Sequence, residues 1–278
     1  MISVDCPELD AGDVFTTCIS RVRDADLKAR LTAITGDVTA ASTDYIDKAR
    51  NNRLHEFVRQ AIIGGVTTAE MEKVYTQRMA SKKAPGRAAY DEIFNSSAKC
   101  LLCTQRKVDT LDHHLPKAHY PVLAVTPANL IPACASCNKA KLASIPTTAD
   151  EAALHPYFDC IENERWLHGE VVPGTPAVVR FHVEPPAQWT QQLCNRVQVH
   201  FDALGLGDLY SAEAADELLS IRHQLTGIYQ GEGPRGVRAE LVARSESARA
   251  ARLNGWRAVT FESFASSDWF CEGGFAAL

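Results

Sequence analysis

The chain has 278 residues, 46% of them hydrophobic and 23% charged, with a formal net charge of −5 at pH 7. That length and apolar content suffice for one large core or two modest ones and exclude a broadly disordered chain. No apolar run reaches the length of a membrane span, the acidic start MISVDCPELDAGD lacks the charged-then-apolar order of a signal peptide, and a mildly negative chain does not advertise nucleic-acid binding.

Residues 8 to about 62 read as helical. FTTCISRVRDADLKARLTAI and STDYIDKARNNRLHEFVRQAII space apolar residues at mixed three- and four-residue intervals, and Ser42 or Thr43 is placed to cap the second helix. Gly64-Gly65 ends that element. Thr67 and Glu70 form a capping box opening the next helix, to about Ala80. SKKAPGR is a polar connector, and AAYDEIFNSS is a short helix leading to Cys100. His55 is assigned no role.

The central stretch from Cys100 to Lys141 holds two Cys-x-x-Cys pairs, Cys100/Cys103 and Cys134/Cys137. Four thiolates at two short spacings are what a closed tetrahedral Zn²⁺ site requires. The cysteine total of nine is odd, which suits metal binding in a reducing compartment, the cytoplasm, better than a disulfide framework. Cys6, Cys18, Cys160, Cys194 and Cys271 read as buried small apolar residues. KVDTLDHHL alternates as a strand that Pro116 stops. Residues 117–128 contain two prolines and form a loop, NLIPAC returns as a strand, and a helix from about Ala135 carries Asn138 and Lys141. The strands then present Asp112, His113 and Asn129 near the first turn of that helix, with Asn138 projecting towards Asp112. Between Lys99 and Lys141 six basic side chains face two acidic ones, a balance of +4 inside an acidic chain that could hold a phosphate backbone.

The string LDHHLPK…NLIPACASCNKAK resembles the HNH endonucleases, whose ββα-metal core reads Asp-His-x-x-Pro, then Asn-Leu, then Cys-x-x-Cys-Asn-x-x-Lys. The resemblance covers about the middle fifth of the chain. It implies that His113 is the general base and that Asn129 steadies the loop and the base. Asn138 takes the last position, where many members have histidine, and shares a catalytic Mg²⁺ or Mn²⁺ with Asp112. The cysteines match the subset stapled by structural zinc. These roles suit the chemistry: an imidazole with an ordinary pKa near about 6.5 can take a proton from water, and carboxylate and amide oxygens are hard ligands for Mg²⁺. Lys141, one helical turn beyond Asn138, could contact phosphate; Lys139 is a weaker candidate and Lys117 a third. His114 points to the opposite face of an ideal strand and reads as structural, although a one-residue slip in register would exchange it with His113. His119, in the loop, reads as exposed.

Past the core, Ser144 to Asp150 is a break and cap before a short helix at EAAL. Two or three strands follow in HPYFDCIENERWLHGEVV and AVVRFHVEPP around a VVPGTP turn. His155, His168 and His182 read as ordinary polar contacts there. QWTQQLCNRVQVHFDAL and SAEAADELLSIRHQLTGIY are helices separated by GLGDLY. GEGPRG is a loop before VRAELVARSESARAARL, whose Arg238, Arg244, Arg249 and Arg252 alternate with Glu240 and Glu246 as a solvated face. The aromatic tail either docks on the body or meets a partner.

The expected fold class is α+β: a small ββα-metal core with a four-cysteine zinc site between mainly helical terminal regions. The segments expected are 1–95 (helical), 96–148 (nuclease core), 149–186 (mixed) and 187–278 (helical). The expected function is metal-dependent hydrolysis of DNA, without a membrane. Standalone HNH proteins resemble effectors of bacterial defence systems and mobile elements, often under a regulatory partner such as an ATPase. Two alternatives stand beside this: a zinc-dependent nucleic-acid-binding or scaffold protein without turnover, and a nuclease directed at RNA.

Overall fold

The computed structural model describes residues 1–141 and 145–276. Ser144, where the sequence suggests a break, and the last two residues of the tail lie outside them. The chain forms two compact units, Met1–Cys160 and Ile161–Leu278, so the 149–186 segment expected from sequence is divided between them. No helix among the described residues is long and apolar enough to cross a membrane.

In the first unit, α1 (Ala11–Ile19), α2 (Ala25–Ala33) and α3 (Thr35–Arg50) open the fold, the first two capped by the Asp10 and Asp24 carboxylates. Helix α3 starts without a side-chain cap, because Ile34 ends α2 and begins α3 at once. Ser42 and Thr43 therefore lie inside α3 rather than at its start, Ser42 buried and Thr43 bonding back to the Thr39 carbonyl. Helix does not persist to residue 62 either. Beyond a short 3₁₀ turn at Leu54–Glu56 the chain is extended and forms the hairpin β1 (Ile62–Ile63) and β2 (Val66–Thr67). Gly64 and Gly65, at φ +52° and +81°, make that turn, which needs a left-handed backbone at both central positions.

Thr67 opens α4 (Thr68–Arg78) with the expected capping box. The Thr67 N–H and hydroxyl both donate to Glu70, whose carboxylate also pairs with Arg30 of α2 at 2.9 Å. The Arg30 guanidinium, with the Thr67 amide, holds the Glu70 carboxyl down at about 2. In the window between that value and its ordinary 4.5 the unfolded chain binds more protons than the folded one. The stabilisation is thus full above that window and lost as pH falls through it. Discounting the half-exposed ion pair for solvent screening, Glu70→Ala is expected to cost about 1–2 kcal/mol at pH 7. In urea unfolding, the gap between wild type and variant should narrow steadily below pH 4.5. A gap that is the same at pH 3 and pH 7 would rule this account out.

Helix α5 (Arg87–Asn95) leads into the cysteine segment. There β3 (Thr110–His113) pairs antiparallel with β4 (Leu130–Ala133), Asp112 opposite Ile131 and His113 opposite Leu130, and α6 (Ala135–Lys141) follows. The loop between the strands includes two short 3₁₀ turns, Pro121–Leu123 and Pro127–Asn129, each started by a proline. Phe15, Tyr45, Met71, Met79 and Tyr120 are nearly or fully buried in one core that also takes Leu111, Leu115 and Leu130. The helices of the N-terminal region thus form the hydrophobic support of the β3–β4 hairpin. EAAL is not helical; the Thr147 amide and hydroxyl capture the Glu151 carboxylate in a local turn.

In the second unit, β5 (Leu167–Val172) and β6 (Val178–Val183) form a hairpin with His168 opposite His182. Helix α7 (Gln191–Ala203) ends at a turn through Gly205, and α8 (Leu206–Ala251) follows, taking in most of the expected GLGDLY turn. Gly233, at φ +67°, is non-helical, and Pro234 follows it. Gln224 reaches both Glu240 and Arg244, so α8 is two helical arms folded back on each other at GEGP, as the loop expected there requires. Helices α9 (Trp256–Ser266) and α10 (Asp268–Cys271) dock the tail, with Phe261, Phe264, Phe270 and Phe275 buried. Three of the arginines are spent in ion pairs: Arg238 with Asp268, Arg244 with Glu240 and Arg249 with Glu262. Of the scattered cysteines, Cys18 and Cys271 are buried, Cys6 and Cys194 are half-buried, and Cys160 is exposed, contrary to expectation.

Candidate functional site

Three backbone contacts assemble the cysteine cluster. Cys100 N–H donates to Arg106 O at 2.8 Å, closing a tight turn in which Thr104 takes φ +63°, and Leu101 N–H donates to Pro132 O. The Asp109 N–H to Ala133 O bond extends the β3–β4 ladder and brings Cys134 alongside. The four Sγ atoms of Cys100, Cys103, Cys134 and Cys137 lie within 4.8 Å of one another, and all four residues are buried. Zn–S bonds of about 2.3 Å in a tetrahedron put sulfurs about 3.8 Å apart; Cys103 and Cys134 are at 4.0 Å. Hydrogen bonds from Cys100 and Cys137 drive Cys103 below the ordinary thiol range, the bond to Cys103 pushes Cys100 up to about 12, and the bonds to Cys100 and Cys103 push Cys137 up. A dication removes that conflict by taking all the sulfurs as thiolates. The cluster could hold a metal such as zinc.

Next to it, β3 delivers Asp112, His113 and His114 into different surroundings. His113 is buried, its Nε2 bonded to the Ala124 carbonyl at 2.8 Å and its ring 4.4 Å from Tyr75 in an edge-to-face contact. A carbonyl only accepts, so Nε2 carries the proton and Nδ1 is the basic nitrogen. Burial, together with the charges of Lys117 and Lys141, holds the imidazole down at about 3, so at neutral pH it is uncharged.

Asn129 is fully buried, and its side-chain hydrogen bonds among the described residues go to Leu115 and Leu123 rather than to the His113 ring. Its Oδ1 accepts from the Leu115 N–H at 2.7 Å, and its Nδ2 donates to the carbonyls of Leu115 and Leu123. One amide therefore ties both ends of the loop that carries Ala124, and through Ala124 it sets the position of His113. His114 donates its backbone N–H to Asn129 O, and its ring lies tilted against His155, with centroids 4.2 Å apart. His155 Nδ1 accepts from the Tyr157 N–H and its Nε2 donates to the Tyr45 hydroxyl. The two adjacent histidines are thus not equivalent: one meets the loop carbonyl, the other a buried aromatic cluster.

Asp112 is buried, and its Oδ2 takes the Lys141 ammonium at 2.8 Å. The same ammonium donates to the His113 carbonyl at 2.7 Å. Burial pushes the Asp112 carboxyl up, and Lys141, assisted by Lys117, opposes it. Lys141 therefore faces inward onto Asp112 rather than outward to solvent. Asn138 is half-buried in the first turn of α6, and its side chain makes no hydrogen bond among the described residues. Lys117 lies over the Tyr75 ring at 5.6 Å. Lys139 and His119 are exposed. Tyr75, the Ala124 carbonyl and the Tyr45–His155 pair are the participants that sequence reasoning missed. They come from distant segments, and no spacing pattern points to them.

The fold and this site define an α+β protein built around a buried four-cysteine cluster able to hold a metal ion. The chain belongs to the family of protein Ea31 of Escherichia phage lambda, to which it is 30% identical over 228 residues, 76% of this chain and 77% of the phage protein. No family model and no solved structure matches it.

Proposed function

We propose that the protein is a divalent-metal-dependent endonuclease of the HNH type, an HNN variant with a zinc-stapled core, that hydrolyses DNA phosphodiester bonds. The observation that carries this reading is the bond from His113 Nε2 to the Ala124 carbonyl, on a loop clasped by Asn129 and beside the Asp112 carboxylate. A buried imidazole fixed by a carbonyl on one nitrogen presents the other as a general base. Strand, loop, strand and helix follow in the order the motif requires.

His113 Nδ1 takes the proton of the attacking water. The resting imidazole is a weak base, first because it is buried and then because two ammonium groups bear on it; an arriving phosphate diester would offset the ammonium part of that and raise its basicity. Asp112 and Asn138 offer the hard oxygen donors of a Mg²⁺ or Mn²⁺ site. The buried carboxyl and the Asn138 amide, which makes no hydrogen bond among the described residues, are donors that fit such an ion. When bound, the ion would supply the positive charge that the phosphorane and the leaving oxygen need. Lys117, Lys139 and Lys141 hold the backbone by charge alone, so affinity falls steeply with salt. A relative encoded by a phage suits a mobile-element or phage-defence setting.

A second reading, a zinc-stapled binding module without turnover, is favoured by one contact, the closed Lys141–Asp112 pair. Supercoiled plasmid incubated with zinc-loaded protein separates the two. Nicking or linearisation that requires added Mg²⁺ or Mn²⁺ is the expected result. Intact plasmid at every metal concentration, with DNA nonetheless bound, would establish the binding module.

A further inference from the structure

We infer that Lys141 is the resident counter-cation of Asp112 and is exchanged for the catalytic metal, so that the site in the free protein is closed to a divalent ion and opens when DNA arrives. The inference rests on the nuclease reading above and adds its regulation.

The Asp112–Lys141 pair has side-chain exposures of only 5% and 9%. Two charges taken that far from water are stable together and costly apart. An incoming dication therefore competes with a cation already in place, not with solvent. Coulomb repulsion between the ammonium and a dication disfavours their sharing this one carboxylate at close range. The second contact of the ammonium, to the His113 carbonyl, locks it on the same short stretch that carries the base. Lys141 is the last described residue of α6. Asn138 lies one turn before it, on the same face of α6, and its side chain makes no hydrogen bond among the described residues, so withdrawal of Lys141 would free a carboxylate for a metal that this amide could help to hold.

What draws Lys141 out is an anion. A DNA phosphate offers its ammonium a partner to replace Asp112, and Asp112 is then left for the metal. Metal and DNA binding are thereby linked, and by reciprocity each strengthens the other. Lys117 cannot take over this role, because its ammonium lies over the Tyr75 ring instead of on the carboxylate.

The experiment is a Mn²⁺ titration followed by electron paramagnetic resonance on wild type, Lys141→Met and Asp112→Asn. Each is titrated alone and with a duplex oligonucleotide carrying phosphorothioate linkages. Wild type should bind Mn²⁺ weakly alone and distinctly more tightly with the duplex. Lys141→Met should bind it about tenfold more tightly than wild type without DNA, and the duplex should then add less. Asp112→Asn should remove the site in both conditions. Equal or weaker Mn²⁺ affinity in Lys141→Met, with Asp112-dependent binding intact in wild type, would overturn the exchange and leave the nuclease reading standing. No Asp112-dependent Mn²⁺ in any protein, with or without DNA, would remove both.

Should Lys141→Met fail to fold, wild type carries the test. Acylation of Lys141 by a succinimidyl ester, read by mass spectrometry, should be slow in metal-free protein and rise severalfold with Mn²⁺. An unchanged rate at saturating Mn²⁺ would sink the proposal.

Discussion

Replacing His113 by alanine is expected to lower the rate of metal-dependent DNA cleavage by about 10²- to 10⁴-fold, the range typical for loss of a general base. DNA affinity should barely change, because the proposed phosphate contacts fall to lysines and not to the imidazole. The substitution also leaves the Ala124 carbonyl without its partner, at a cost of about 1–3 kcal/mol. Melting temperature and zinc content must therefore be measured alongside the rate. His113→Gln is the sharper control: its amide can still donate to that carbonyl but has no basic nitrogen. A folded, zinc-loaded His113→Gln that cuts at the wild-type rate would exclude His113 as the base. His114→Ala is not expected to match the rate loss, since the His114 ring packs against His155. Its effect should fall on stability.

Removal of metal from the cysteine cluster is expected to have the largest effect on the fold. Cys100 and Cys134 sit at the outer ends of the segment that β3 and β4 close, so one ion would staple both ends of the hairpin that carries Asp112 and His113. Zinc contributes on the order of 10 kcal/mol to folding in peptides with no other core. Here Phe15, Tyr45 and Met71 share the task, so the first unit is expected to open locally rather than unfold throughout. Hydrogen exchange reads this directly. Chelation, or Cys137→Ser, should strip protection from the β3 and β4 amides while α8 and α9 keep theirs. Undiminished protection of Asp112 and Ile131, which face each other across the ladder, in zinc-free protein would mean that the cysteines serve only as apolar packing.

Most of the central hairpin was legible in the sequence because its determinants are local. Pro116 had to end a strand, two more prolines forbade a regular loop helix, and Thr67 with Glu70 could be read as a cap from four residues. The same locality explains GEGPRG, where glycine and proline leave the chain little choice. What could not be read is what packing decides. Ser42 looks like a cap, yet α2 runs into α3 at Ile34 and leaves it mid-helix. EAAL has helical composition, but so short an element cannot offset its own nucleation, and Glu151 does better by binding Thr147. His155 carries no signal of its own; only the folded chain brings it onto His114 and Tyr45. Lys141 is the instructive case. Helical spacing put it on the face of Asn138 and suggested phosphate, but no sequence pattern could reveal that a buried carboxylate already occupies it.

The reversal at Gly231–Pro234 gives the experimenter a handle. The two arms of α8 bury Leu218, Leu225, Val237 and Leu241 along their length, whereas Gly231 and Glu232 at the tip are exposed. A dye on a cysteine introduced at Gly231, or a short biotin-acceptor peptide spliced in beside it, would load the exposed tip of the reversal. The protein could then be tethered, and its proposed action on single DNA molecules tested, with its cysteine cluster untouched.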